Sequence, residues 1–252
     1  MSVTGPGPRL PRSTTSLGAP LHGGDLVRVV LLGLALFVAA EYVVRAVATG
    51  ASTSGARVNY LLGYYAAWTF AWLAAIWFVF VRVRGLSFAA LGYAAPTRSW
   101  AARGVLAGFL ALPLAFMLAL VLRPLLGSES AVNLQKYFGG KDFAVVQAAT
   151  MLLYGGFLVP ISEELLFRGL LFRWLRQRLD FRAAALISAA VFGVAHLRAD
   201  QIIIAALLGL PMAWLYEKSR SLVPAILMHQ TYNSLGLMMQ FAYVWFAPEP
   251  TG

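Results

Sequence analysis

Pro160-Ile161-Ser162-Glu163-Glu164-Leu165-Leu166-Phe167-Arg168-Gly169 places two adjacent carboxylates and a guanidinium inside an apolar run that begins near Phe143. Ionisable groups at membrane depth cost roughly 2.5–3.5 kcal/mol each on insertion scales, so they mark functional sites by default. On a helix, neighbouring residues point about 100° apart, so Glu163 and Glu164 cannot face one partner. Arg168 follows Glu164 by four residues, the favourable order for a helical ion pair. Glu164 is therefore expected to be neutralised and locked, leaving Glu163 as the freer carboxylate. Two later stretches can complete a site: Phe192-Gly193-Val194-Ala195-His196 and His229-Gln230-Thr231-Tyr232-Asn233.

Composition sets the solvent. Of 252 residues, 60% are hydrophobic and 12% charged, and mean hydropathy is +0.73. A soluble domain is about 45–50% apolar and about 25% charged. The expected fold is all-α, a polytopic transmembrane bundle of seven or eight helices enclosing an intramembrane cavity. The chain has no cysteine, which excludes disulfides, thiolate metal sites and a cysteine nucleophile. The net charge of +10 fits basic cytoplasmic loops better than a nucleic-acid surface.

Residues 1–24 are rich in Pro, Gly, Ser and Thr and read as a disordered tail. Residues 25–247 read as the membrane domain, with 143–240 its catalytic core. Seven spans are predicted: Val27–Val47, Tyr60–Val81, Gly104–Leu122, Phe143–Phe167, Ala183–Leu197, Gln201–Tyr216 and Leu222–Phe246. The first is too long for the apolar core of a cleaved signal peptide. Glu41 and Arg45 in it are spaced as an ion pair. Tyr64, Tyr65, Trp68, Trp72 and Trp77 in the second suit a membrane interface and helix packing. Leu86–Gly92 can form a short amphipathic surface helix, and Gly169–Arg182 a basic one. Pro113 should kink the third span. The fifth and sixth fall short of the roughly 20 residues that cross a bilayer.

With the N-terminus inside, fourteen basic residues fall on the inner side and five on the outer, with Arg45 within a span. That bias places the N-terminus in the cytoplasm. It also puts His196 at the far end of the fifth span from Glu163. For the two to meet, that span must be short and re-entrant or its boundary must shift.

The chemistry follows from residue types. A partly desolvated Glu163 suits a general base toward water, and His196 is a second proton acceptor. His229 and Asn233 share a helix face at i, i+4 and can donate two hydrogen bonds to an oxyanion. Phe192, one turn before His196, can wall the pocket. Glu163, His196 and His229 could alternatively bind zinc with Glu164 as base, although no H-E-x-x-H is present. No G-x-S-x-G accompanies Ser162 or Ser188.

These stretches resemble the CAAX-protease and bacteriocin-processing family of intramembrane glutamic endopeptidases, which includes type II CAAX prenyl endopeptidases. The pattern E-E-x-x-x-R, F-x-x-x-H, H-x-x-x-N is met in order by Glu163 to Arg168, Phe192 to His196, and His229 to Asn233. The resemblance implies a helical bundle with a conical cavity. In it Glu163 and His196 activate water, His229 and Asn233 hold the oxyanion, and Glu164 and Arg168 shape the site. No cofactor is expected, and the implied partners are a lipidated or membrane-embedded peptide substrate and the lipid of a bacterial cell membrane. A membrane scaffold or immunity protein and a proton-coupled transporter are the competing classes. The transporter lacks an inverted repeat, and the completeness of the three motifs favours the protease.

Overall fold

The computed structural model describes residues 20–48, 54–126 and 145–246. Among these every regular element is helical. Helix α1 is Gly23–Ala48. Helix α2, Ser54–Ile76, continues as a π-helical stretch, Trp77–Val83. After a single 3₁₀ turn, Ala89–Leu91, come α3, Arg98–Leu126, and α4, Val145–Arg176. Helices α5, Phe181–Val194, α6, Ala199–Ser219, and α7, Val223–Phe246, complete the chain. Five of the described helices, α1, α2, α3, α4 and α6, are long and apolar enough to cross a membrane. Their outer faces carry exposed Leu, Val, Phe and Met side chains. The chain is an integral membrane protein. Most of the expected disordered tail, residues 1–19, lies outside the described residues, as do Lys136 and Lys141. The tail's expected last residues are already structured, with Leu21 buried and α1 beginning at Gly23.

Several boundaries differ from the sequence reading, each for a local reason. Helix α6 has 21 residues and is not short. It begins before Gln201, because Asp200 is buried against Arg123 and Arg198, and Lys218 ends in its last turn. The stretch before Gly92 is not a surface helix. Leu91 is fully buried, Gly92 adopts φ 96°, and the Gly92 carbonyl accepts from the Leu222 N–H at 2.9 Å. Gly169–Arg176 is no surface helix either but the lower half of α4. Arg173 is fully buried and donates to the Ala90 carbonyl. Arg176 forms a bidentate pair with Glu217 at 2.9 and 3.2 Å.

That extension dissolves the difficulty over His196. From Glu163 to Arg176 the helix descends about 20 Å at 1.5 Å per residue. A tight turn follows, with Asp180 capping α5 through the Ala183 N–H at 2.9 Å. The 14-residue α5 then climbs back by about 21 Å. His196, just past its end, returns to the depth of Glu163.

The bundle is tied by close backbone crossings. Helix α3 packs on α7 through Gly104, Gly108, Ala111, Ala115 and Ala119. A Cβ on Gly104 would strike the Pro224 backbone, so the small residues are what lets these helices meet. Helix α5 crosses α6 in the same way at Gly193. The largest apolar core gathers Trp72, Phe80, Leu170, Phe172, Phe192 and Tyr216 around the middle of α4.

Candidate active site

Glu163 and Glu164 end a short α-helical piece of α4, Val159–Glu164, set between two π-helical stretches, Leu152–Leu158 and Leu165–Phe172. Such changes of register are frequent at functional sites. Their origin lies in the sequence. The Val159 N–H bonds the Tyr154 carbonyl, five residues back. The next donor in that register would be residue 160, a proline without an N–H. The Gly155 carbonyl is thereby left over, and the Asn233 amide donates to it at 3.1 Å. Gln230 donates to the Phe157 carbonyl, also at 3.1 Å. Side chains of α7 thus donate to two carbonyls of α4.

Glu164 is fully buried. Its Oε1 accepts from Arg168 Nη1 at 2.9 Å and from His229 Nδ1 at 3.0 Å. The other nitrogen of His229 lies 3.7 Å from Glu163 Oε2. One imidazole therefore bridges the two carboxylates. Arg168, also fully buried, stacks on Phe192 at 4.3 Å and fits beside Gly209, where a Cβ would approach Nη2 to 3.0 Å. The Phe192 ring meets His196 edge-on at 4.9 Å and His229 at 5.8 Å. It does not wall a pocket. It is 1% exposed and spaces the two histidines apart.

His196 Nδ1 lies 2.9 Å from the Phe192 carbonyl. A carbonyl only accepts, so the proton of that bond is on Nδ1 and Nε2 carries the lone pair. The following turn is tight: the Arg198 N–H bonds the His196 carbonyl at 2.8 Å around Leu197, whose φ is 63°. A left-handed leucine stores backbone strain next to the imidazole.

A cavity of about 670 Å³ opens beside these groups. Glu163 and His196 line it, together with Phe37 from α1 and Tyr64, Trp68 and Trp72 from α2. His229 sits behind Glu163, and Asn233 is engaged with α4. The structure therefore brings Glu163, His196, His229, Glu164, Arg168 and Phe192 into one cluster, with Asn233 one turn away at its edge. The sequence alone reads the α2 aromatics as membrane-interface and packing residues. Their i, i+4 spacing, 64, 68 and 72, is the signal that one face of α2 looks at something. Among the described residues, no three His, Asp or Glu side chains converge as a metal site requires.

A protein-family model described as Type II CAAX prenyl endopeptidase Rce1-like matches residues 145–235. The matched stretch runs from the start of α4 into α7 and contains every residue of the cluster. The chain is also similar to "Putative membrane peptidase YdiL" of Bacillus subtilis, 30% identical over 97 residues, or 38% of this chain and 40% of that one. "UPF0177 protein YxdF" of Lactococcus lactis is 30% identical over 82 residues, 32% of this chain and 45% of its own. The chain thus spans less than half the length of either relative. No solved structure matches it. The wall of the cavity formed by α1 and α2 lies outside the Rce1-like stretch.

Proposed function

We propose that the protein is an intramembrane endopeptidase that hydrolyses a peptide bond of a membrane-embedded or lipidated substrate. The observation that carries this reading is the pairing of Glu163 and His196 on the wall of one largely apolar cavity. In such a site a carboxylate and an imidazole lone pair can take a proton from water. His229, anchored on the Glu164–Arg168 pair, lies 3.7 Å behind Glu163, so the charge next to the base is set before substrate arrives. The description of the matching family and the name of the Bacillus relative support the same class. Processing of CAAX-type or bacteriocin-related peptides is the substrate reading carried over from that family. The proposed setting is a bacterial cell membrane, multi-pass, with the N-terminus cytoplasmic, as the basic loops suggest. The reaction is proposed to need no metal.

The test is cleavage of a fluorogenic CAAX-type peptide library by purified protein in detergent, with and without chelator. Wild type should cleave in both conditions. Glu163→Gln and His196→Ala should each lose at least about 100-fold in kcat, the scale of a general base, while eluting as folded monodisperse protein. Loss on chelation with rescue by zinc would replace this mechanism by a metal-dependent one. Full activity of Glu163→Gln would leave a scaffold role instead.

A further inference from the structure

The cavity wall holds two proton acceptors and needs a donor. Glu163 accepts. His196 has its Nδ1–H directed to the Phe192 carbonyl, so in that tautomer its Nε2 also accepts. His229 lies behind Glu163, directed at both carboxylates. Asn233 is absent from the cavity lining and directs one amide N–H to the Gly155 carbonyl. The indole N–H groups of Trp68 and Trp72 are buried within the packing. Tyr65 is packed against a second apolar cluster.

Tyr64 is different. It lines the cavity with Glu163 and His196, and its hydroxyl makes no hydrogen bond among the described residues. Its ring is held edge-on by Phe37 at 5.4 Å and by Tyr65 at 6.1 Å. One turn earlier on α2, Tyr60 donates to Glu41 at 2.9 Å. Of these two phenols on one helix face, one is used in structure and the other is presented to the cavity.

We propose that the Tyr64 hydroxyl donates a hydrogen bond to the carbonyl oxygen of the scissile bond and holds the oxyanion formed when water adds. The proposal rests on the hydrolytic reading above. In the step, the water oxygen bonds to the carbonyl carbon, Glu163 takes one water proton, and the carbonyl π electrons move onto oxygen. Tyr64 keeps its own proton. The carbon–nitrogen bond then breaks, the amine leaves with the proton held by Glu163, and the carbonyl re-forms as a carboxylic acid. A fixed donor aimed at that oxygen in a site with little water is worth far more than in bulk water.

The experiment compares wild type, Tyr64→Phe and Tyr60→Phe in two readouts: peptide cleavage, and binding of a phosphinate peptide that carries a tetrahedral anion at the scissile position. Tyr64→Phe keeps the ring and its contacts, so its thermal midpoint should match wild type. Its kcat should fall about 100-fold, the cost of losing one oxyanion donor, with KM within about threefold. Phosphinate affinity should fall by a similar factor. Tyr60→Phe should keep kcat. A Tyr64→Phe enzyme within about threefold of wild type in kcat and in phosphinate affinity overturns the assignment of Tyr64 alone. An equal fall in Tyr60→Phe overturns it too, since the effect would then belong to the helix face. A wild type that neither cleaves nor binds the phosphinate overturns the hydrolytic reading and this proposal with it.

Discussion

Glu164 Oε1 is shared between Arg168 and His229, while Oε2 has no hydrogen-bond partner among the described residues. The arrangement is stable only while its charges balance. Removing one member of a buried ion pair leaves the other uncompensated, at a cost of about 3–5 kcal/mol. Arg168→Ala should therefore destabilise the protein by about that amount, read as a lowered denaturation midpoint in detergent. It also removes the cation stacked on Phe192, the ring that separates His196 from His229. Arg168→Lys would keep the charge but not the flat stack, so it should recover part of the stability and little of the order at the histidines. A variant as stable as wild type would mean that the pair is solvated in the folded protein.

At the level of elements, the broken register of α4 is what turns Glu163 toward the cavity and Arg168 toward α6. Pro160 and Asn233 are two halves of that device, although they are far apart in sequence. Pro160→Ala restores an N–H that can reach the Gly155 carbonyl, so Asn233 is no longer needed there. A double-mutant cycle measures this directly. Asn233→Ala should cost about 1–3 kcal/mol in the wild-type background, the penalty for a stranded buried carbonyl. The same change should cost little in the Pro160→Ala background. Additive effects would show that Asn233 stabilises the helix by some other route.

The same element marks the limit of what local sequence could say. The grouping of Glu163, Glu164 and Arg168 was legible because helical spacing alone sets i, i+4 neighbours. The fold class was legible because apolar runs of membrane length have few alternatives. The lower half of α4 was not, because Arg173 and Arg176 look solvent-bound until Ala90 and Glu217 are brought to them. Tyr64 was not either, since an aromatic row in a membrane helix reads equally as packing, and only the position of α1 and α5 leaves it facing open space.

For the whole molecule, the exposed position of α1 decides how the cavity is closed. Its apolar Leu26, Val30, Leu34 and Phe37 face the cavity, and its outer residues, such as Leu31 and Val38, are exposed. It packs chiefly on α2, where a Cβ on Gly33 would run into the Trp72 ring. Its start is latched to the end of α4 by Leu21 and to the end of α2 by Asp25. The Leu21 N–H donates to Gln177 Oε1 at 3.1 Å, and the buried Asp25 pairs with Arg84 and, at 3.4 Å, with Arg28. Helix α5 forms part of the other side through Val191, Ala195 and Leu197. If that latch positions the wall, Asp25→Ala should loosen it without touching the glutamate cluster. The loss of hydrogen bonds to a charged group should lower stability by about 1.5–3 kcal/mol. Spin labels on the outward positions Leu31 of α1 and Val194 of α5 should then show a broader and longer distance distribution than in the Asp25 protein. An unchanged distribution with the same loss of stability would assign the placement of α1 to its packing on Trp72 and leave Asp25 a purely local tie.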